Sequence, residues 1–461
     1  MIKFFQKNYL FLTTGLIFFI SFFLFRSSLN YYFFQDDWFV LNEVSNVTTG
    51  DLINLFKFRT DIIYWRPIGM FLFFFIGKNL FGLNPFGFHL ISIFFHLINS
   101  FLIGYLSFIL FKNKLAAIIA AFLYSTAAFH FMTLSWLSLT WNVIGSTFFL
   151  LALISFYLFK RLKSKLILAM TIFFFCIAIT SSEFALAFPV FILLFELFYG
   201  KQNIVKILKG LTFIFPILLI DFLYILVRFI IVPIPATGEY VPIIDLKVIN
   251  NIFWYGAWLV NVPEVFKYQV QASQFSFSKD PTFLEPFKPY FLPLLFSLSV
   301  FLFSANYLLT KTFKQKLFKK LFGALILLVL GLLPVIFLPQ HSFPYYLTIS
   351  SIGFFVFIAY VLTQVLTNVT NVSRLAIICL VGGWFFASLT TISFTRKTHW
   401  ISGEQAISKK YIEKVLNEYP NLPDSKIVVI TGSNDQVKQS LMDQNALKVI
   451  YNNDEVRTIY R

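Results

Sequence analysis

The sequence predicts an all-α polytopic membrane protein with about 11 spans, and three observations lead there. Of 461 residues 58% are hydrophobic, Phe alone supplies 65, and only 13% are charged, far from the mixture of a soluble globular domain. The apolar runs reach about 20 residues without period-two alternation, the length of a helix that crosses a bilayer and not of a barrel strand. The Lys and Arg behind the formal charge of +16 sit in short loops between those runs, where they report topology and not nucleic-acid binding. Cys176 and Cys379 each lie inside an apolar run, so neither a disulfide framework nor a cysteine metal site is implied.

Lys3 and Lys7 precede an apolar run over 9–29 that is longer than a signal-peptide core and is followed by no small-residue cleavage pattern. It reads as a retained first helix with a cytoplasmic amino terminus. Residues 30–85 follow as an outer loop: a polar part with Asp36 and Asp37, a short surface helix over 52–58, and a run over 68–81, broken near its end by Lys78 and Asn79, that is interfacial or re-entrant. Runs over 86–111, 115–129, 137–159, 166–180, 184–199 and 210–232 then alternate inward and outward. Each inward run ends on basic residues: Lys112 and Lys114, the Lys160 to Lys163 cluster, and Lys201, Lys206 and Lys209. Residues 233–289 form an outer lid with a helical stretch over 248–260, too polar in its second half to cross. Spans over 290–309, 321–338, 345–367 and 375–393 complete the set, with the basic loop at Lys311 to Lys320 and Arg374 inside. The transmembrane domain thus covers 1–394. Residues 395–461 read as a small extracytoplasmic α/β appendage with helices over 404–418 and 436–445 and strands over 426–430 and 447–451.

The chemistry concentrates on one side. Asp36 and Asp37 form an adjacent carboxylate pair at the membrane boundary of a chain poor in acid, and such a pair costs stability unless it is solvated, paired or used. On the run from residue 86, His89, Ser92, His96, Asn99 and Ser100 project within about 100° of one another, a stripe that faces protein or water; interhelical hydrogen bonding is the structural alternative. Asp221, Tyr224 and Arg228 share a helix face, and Arg228 suits a phosphate, with snorkelling as its alternative. Arg66, His130, Trp136, Asn142, Glu183, His341 and Tyr345 lie at other boundaries of the same side. One outer cavity holds them all if they converge. A carboxylate facing cations at the lip of a helical bundle suits transfer from a lipid-borne phosphate donor to a hydroxyl acceptor. An Asp takes the acceptor proton, and arginine and histidine stabilise the departing phosphate. Glycoside hydrolysis needs two opposed carboxylates several ångströms apart, which neighbouring residues do not supply.

These residues resemble the membrane glycosyltransferases of the C-type fold (GT-C) that use polyprenyl-phosphate sugars, particularly bacterial relatives of the protein O-mannosyltransferases. The likeness covers most of residues 1–400. It rests on Asp36-Asp37 after the first helix, Trp65-Arg66-Pro67, Asn84-Pro85-Phe86-Gly87-Phe88-His89-Leu90, His96-Leu97-Ile98-Asn99-Ser100, and, in order, residues 130–142, Ser182-Glu183, 224–228 and 341–346. The resemblance implies a cell-envelope enzyme for hexosyl or pentosyl transfer, with Asp36 as general base and Asp37 as an orienting or acceptor-side residue. The arginines and His341 would meet the donor phosphate. Its implied partners are a polyprenyl-phosphate-linked sugar donor, a protein, lipid or glycan acceptor, and membrane lipids. No cofactor follows, and a divalent cation stays an open alternative. Ser182 stands where relatives place a lysine, and residues 395–461 replace the tetratricopeptide repeats of one branch. A flippase or transporter would use the same polar stripe as a pathway but calls for broken helices and polar groups on both sides; a glycan polymerase or ligase is the other alternative.

Overall fold

The computed structural model describes residues 2–62, 64–199, 213–231, 238–271, 276–277, 281–312 and 315–461. Among them six helices are long and apolar enough to cross a membrane, with spans Leu10–Asn30, Pro85–Phe111, Leu137–Leu162, Glu285–Thr312, Leu317–Ile336 and Asn371–Thr398. A bent pair, Pro344–Ser350 and Ile352–Thr367 with 59° between its parts, makes a seventh when taken as one span. The helices Lys114–Thr126 and Lys165–Ser181 are apolar but shorter, as are Phe188–Tyr199 and Phe215–Ile231. The expected 11 apolar segments are therefore helical where described, whereas length alone supports six or seven crossings. Lys201, Lys206 and Lys209, and the start of the lid at 233–237, lie outside the described residues.

Local sequence explains the breaks. Asn84 accepts from the Phe86 amide and Pro85 opens the helix Pro85–Phe111, the usual chemistry of a capped amino terminus. Its end turns on Lys112 in the left-handed region, φ 59°, and Asn113 caps the next helix through the Ala116 amide. Close packing comes from small residues, as expected where lipid removes the hydrophobic drive between helices. A Cβ on Gly383 would sit 2.7 Å from the Phe301 nitrogen and 2.8 Å from the Ser297 oxygen, so this glycine sets how closely Asn371–Thr398 approaches Pro281–Thr312. Replacing Gly383 by Ala is expected to separate them and cost about 1–3 kcal/mol, read as a lower melting temperature in detergent. A large Phe complement serves the lipid face: Phe19, Phe296 and Phe303 are among the exposed large apolar side chains.

Several expectations need correction. Asp36 and Asp37 do not lie in an open loop; they begin a helix, Asp36–Ser45, in whose first turn both carboxyls meet the positive end of the peptide dipoles. By contrast, the short helix expected over 52–58 is present as a 3-10 helix, Thr49–Phe56, and the run over 68–81 is helical as expected, a π-type stretch Pro67–Leu72 continuing into Phe73–Phe81. Near the carboxyl terminus, the stretch read as a strand over 447–451 is a helix, Asn445–Tyr451, and the helix over 436–445 stops at Ser440. The second strand is Arg457–Tyr460, parallel to Ile427–Ile430. A short apolar run does not distinguish strand from buried helix, and a parallel pair needs the crossover that these two helices provide.

Residues from Trp400 onward share one apolar core with the rest of the protein: Ile401, Ile412, Val415 and Val428 join Trp38, Val40 and Leu41. They are tied to residues 31–46 by hydrogen bonds from the Trp38 indole to Ser408 (2.9 Å), between Tyr31 and Ser402 (2.8 Å), and from Asn46 to Asp454 (2.7 Å).

Candidate active site

Asp36 and Asp37, one residue apart on a helix, point about 100° from each other and meet different surroundings. Asp37 is fully buried. Its Oδ1 accepts from the Ser138 amide at 2.7 Å and the Ser138 hydroxyl at 2.6 Å, and its Oδ2 accepts from the Phe34 amide at 3.2 Å. Burial pushes this carboxyl up to about 8, against the opposing pull of those donors. Asp36 is half-buried and lines a cavity of about 780 Å³. Burial raises its pKa as well, and the Arg66 guanidinium works in the other direction.

Arg66 is positioned from several sides. Its Nη2 donates to Glu183 Oε2 at 2.9 Å, its guanidinium lies 3.6 Å above the Trp141 ring, and the Tyr64 ring is 4.7 Å away. Glu183 Oε1 accepts from the Trp65 amide at 3.3 Å, which locks the carboxylate. Desolvation opposes the charge on Arg66 and Glu183 more than restores it, so the guanidinium stays protonated. Arg66 Nε is buried without a partner among the described residues, leaving one donor of the fork unused.

The other walls come from distant elements. Tyr224 and Arg228, four residues apart on Phe215–Ile231, face the cavity, while Asp221 does not line it. His341 Nδ1 pairs with Glu239 Oε2 at 3.2 Å beneath the Tyr240 ring, whose centroid is 4.2 Å away. Tyr345 donates its hydroxyl to Tyr346 at 3.1 Å. Trp136 stacks on Phe34 at 5.5 Å and meets the edge of Trp400 at 5.2 Å.

Of the residues singled out in sequence, Asp36, Arg66, Trp136, Glu183, Arg228, His341 and Tyr345 line this one cavity. Asp37, His89, His96, Asn99, His130 and Asn142 do not, which corrects the expected convergence of every histidine and cation. His89 Nδ1 is 3.0 Å from the Leu134 oxygen, His96 Nε2 is 2.9 Å from the Ser125 oxygen, and Asn99 donates to the Val143 oxygen at 2.9 Å and accepts from Thr147 at 2.7 Å. Leu134 and Ser125 lie in the last turns of short helices, where carbonyls lack intrahelical partners, so the polar stripe seals helix ends. His130 packs its ring 4.4 Å from His96, and Asn142 is buried.

Tyr64, next to Trp65-Arg66-Pro67, lines the cavity too, as do Glu239, Tyr240, Trp400, Glu404 and Gln439, which the sequence does not single out. Trp400 and Glu404 at helical spacing were the available signal, although only the fold carries that helix to Asp36. Among the described residues no three His, Cys, Asp or Glu side chains gather as metal ligands. No family model and no curated protein matches the chain.

Proposed function

We propose that this protein is an integral-membrane glycosyltransferase of the GT-C type, moving a sugar from a polyprenyl-phosphate donor to a hydroxyl acceptor at the extracytoplasmic face. The observation that carries the reading is that the Asp36 carboxyl opens into the same cavity as the Arg66 and Arg228 guanidinium groups. Asp36 accepts the proton of the acceptor hydroxyl, the acceptor oxygen bonds to the anomeric carbon, and the bond from that carbon to the phosphate oxygen breaks. The phosphate leaves with the bonding pair, so no general acid is needed. The arginines offset its growing charge. Ile225 of helix Phe215–Ile231, Val335 of helix Gln315–Ile336 and Leu338 just past its end give the cavity an apolar flank, suited to a lipid tail.

The proposal includes 11 crossings, with the amino terminus inside and residues 395–461 outside, because the basic loops alternate only in that register. Cysteines introduced at Lys163 and Lys319 should resist a membrane-impermeant reagent in sealed cells, and one at Ser425 should react. Labelling of Lys319→Cys from outside would refute the topology. Donor binding is the second test. Arg66→Ala or Arg228→Ala should weaken polyprenyl-phosphate-sugar binding by about 1.5–3 kcal/mol, the worth of a charge-assisted contact. Lys should rescue only in part because it cannot form the planar fork. Full donor affinity in both variants would move the phosphate site toward His341.

A further inference from the structure

The turn that delivers Asp36 is built at a cost. The Asp37 amide donates to the Phe34 oxygen at 3.1 Å, closing a four-residue turn whose first central residue is Gln35, with φ 48° and ψ −124°. That is the type II′ conformation, for which glycine is the preferred residue at this place because a side chain crowds the backbone. The strained residue is held by its surroundings. The Gln35 amide donates to the Ser440 oxygen at 2.8 Å, and its carbonyl accepts from the Trp38 amide at 2.9 Å. Ser440 is itself fixed, because Glu404 accepts from its hydroxyl and, at 2.9 Å, from the Gln436 side chain. With both oxygens engaged, Glu404 acts as a clamp, although it also borders the cavity.

A residue with a side chain that persists in a strained backbone conformation points to use of that side chain. Gln35 lines the cavity next to Asp36. Through Ser440 and the contacts among Phe34, Trp136 and Trp400, it belongs to the part formed by the carboxyl-terminal elements, whereas Arg66 belongs to the part formed with Glu183 and Trp141. Asp36 follows Gln35 directly and feels the charge of Arg66. We propose that Gln35 is an acceptor-binding residue: its side-chain amide hydrogen-bonds the hydroxyl-bearing acceptor beside the Asp36 base, and the chain keeps glutamine at a glycine position for that purpose. This inference rests on the transferase reading above and adds which side chain meets the acceptor and from which wall.

Three variants in purified full-length protein separate strain from side chain: Gln35→Gly, Gln35→Ala and, as reference, Asp36→Asn. Melting temperature in detergent is one readout. Single-turnover release of sugar from a polyprenyl-phosphate-sugar donor, titrated with acceptor, is the other. Gln35→Gly should melt several degrees above wild type and Gln35→Ala should not, since alanine is strained at the same φ. Both should bind donor as wild type does yet require at least tenfold more acceptor. Wild-type acceptor dependence in both variants would overturn the proposal, and so would a Gly variant no more stable than wild type. A wild-type protein that transfers no sugar from any such donor would instead sink the transferase reading, with the melting comparison still deciding whether the turn is strained.

Discussion

Asp36→Asn is expected to lower single-turnover sugar transfer by roughly a hundredfold to ten-thousandfold, the range in which a positioned general base contributes, while donor affinity changes little. The asparagine keeps shape and hydrogen-bonding capacity and cannot take the acceptor proton. The acid limb of the pH profile carries a second signature. Burial raises the Asp36 pKa and Arg66 opposes that rise, so activity should increase with pH through a value above the ordinary carboxylate range of about 4. Removing Arg66 should move that limb to still higher pH. Wild-type rates in the Asp36→Asn protein would end the assignment.

Asp37→Ala should fail for a different reason. It leaves the Phe34 amide, the Ser138 amide and the Ser138 hydroxyl unpaired in a site closed to water. Each such donor costs about 1–3 kcal/mol, so the loss is on the order of 3 kcal/mol or more against a total stability of about 5–15 kcal/mol. A lower melting temperature and a reduced yield of folded protein are the expected readouts. Asp37→Asn should be milder, because its oxygen can still accept from Ser138 although its amide group faces the Phe34 N–H. The raised pKa gives the linkage a sign. A carboxyl at about 8 when folded and near 4 when unfolded holds its proton more tightly in the folded state. Its contribution to stability is fully present below about pH 4 and lost as pH rises through about 8. Asp36 shares the sign, so the comparison is between wild type and Asp37→Asn, whose melting temperature should vary less with pH across that window. An Asp37→Ala protein as stable as wild type would show that the Ser138 anchor carries no weight.

The two aspartates illustrate what sequence conveys and where it stops. That neighbouring carboxyls point apart and hold separate tasks is legible from their adjacency. That Asp37 spends its capacity on Ser138 depends on a turn 101 residues away arriving at that spot. The same division runs through the polar stripe on Pro85–Phe111. Its existence follows from helical periodicity, but its partners follow from helix ends at Ser125 and Leu134 whose free carbonyls face it. No spacing rule encodes that rotation. Trp400, Glu404 and Gln439 lie far along the chain in a segment that reads as an appendage, yet they wall the cavity because the segment packs on Asp36–Ser45.

What the sequence determined alone is the class of the protein and the presence of its helices. Long apolar runs with few charges must satisfy their backbone groups within the chain when water is absent, and a helix does so locally. It also placed the punctuation: Asn84-Pro85 and Lys112-Asn113 start and stop helices through contacts a few residues long. What only the tertiary structure decided is which polar groups share a cavity and which are consumed as fastenings. A buried hydrogen bond or ion pair, such as that between Arg66 and Glu183, is settled by the rotation and depth of helices distant in sequence, and those are set by the packing of the whole apolar core at once.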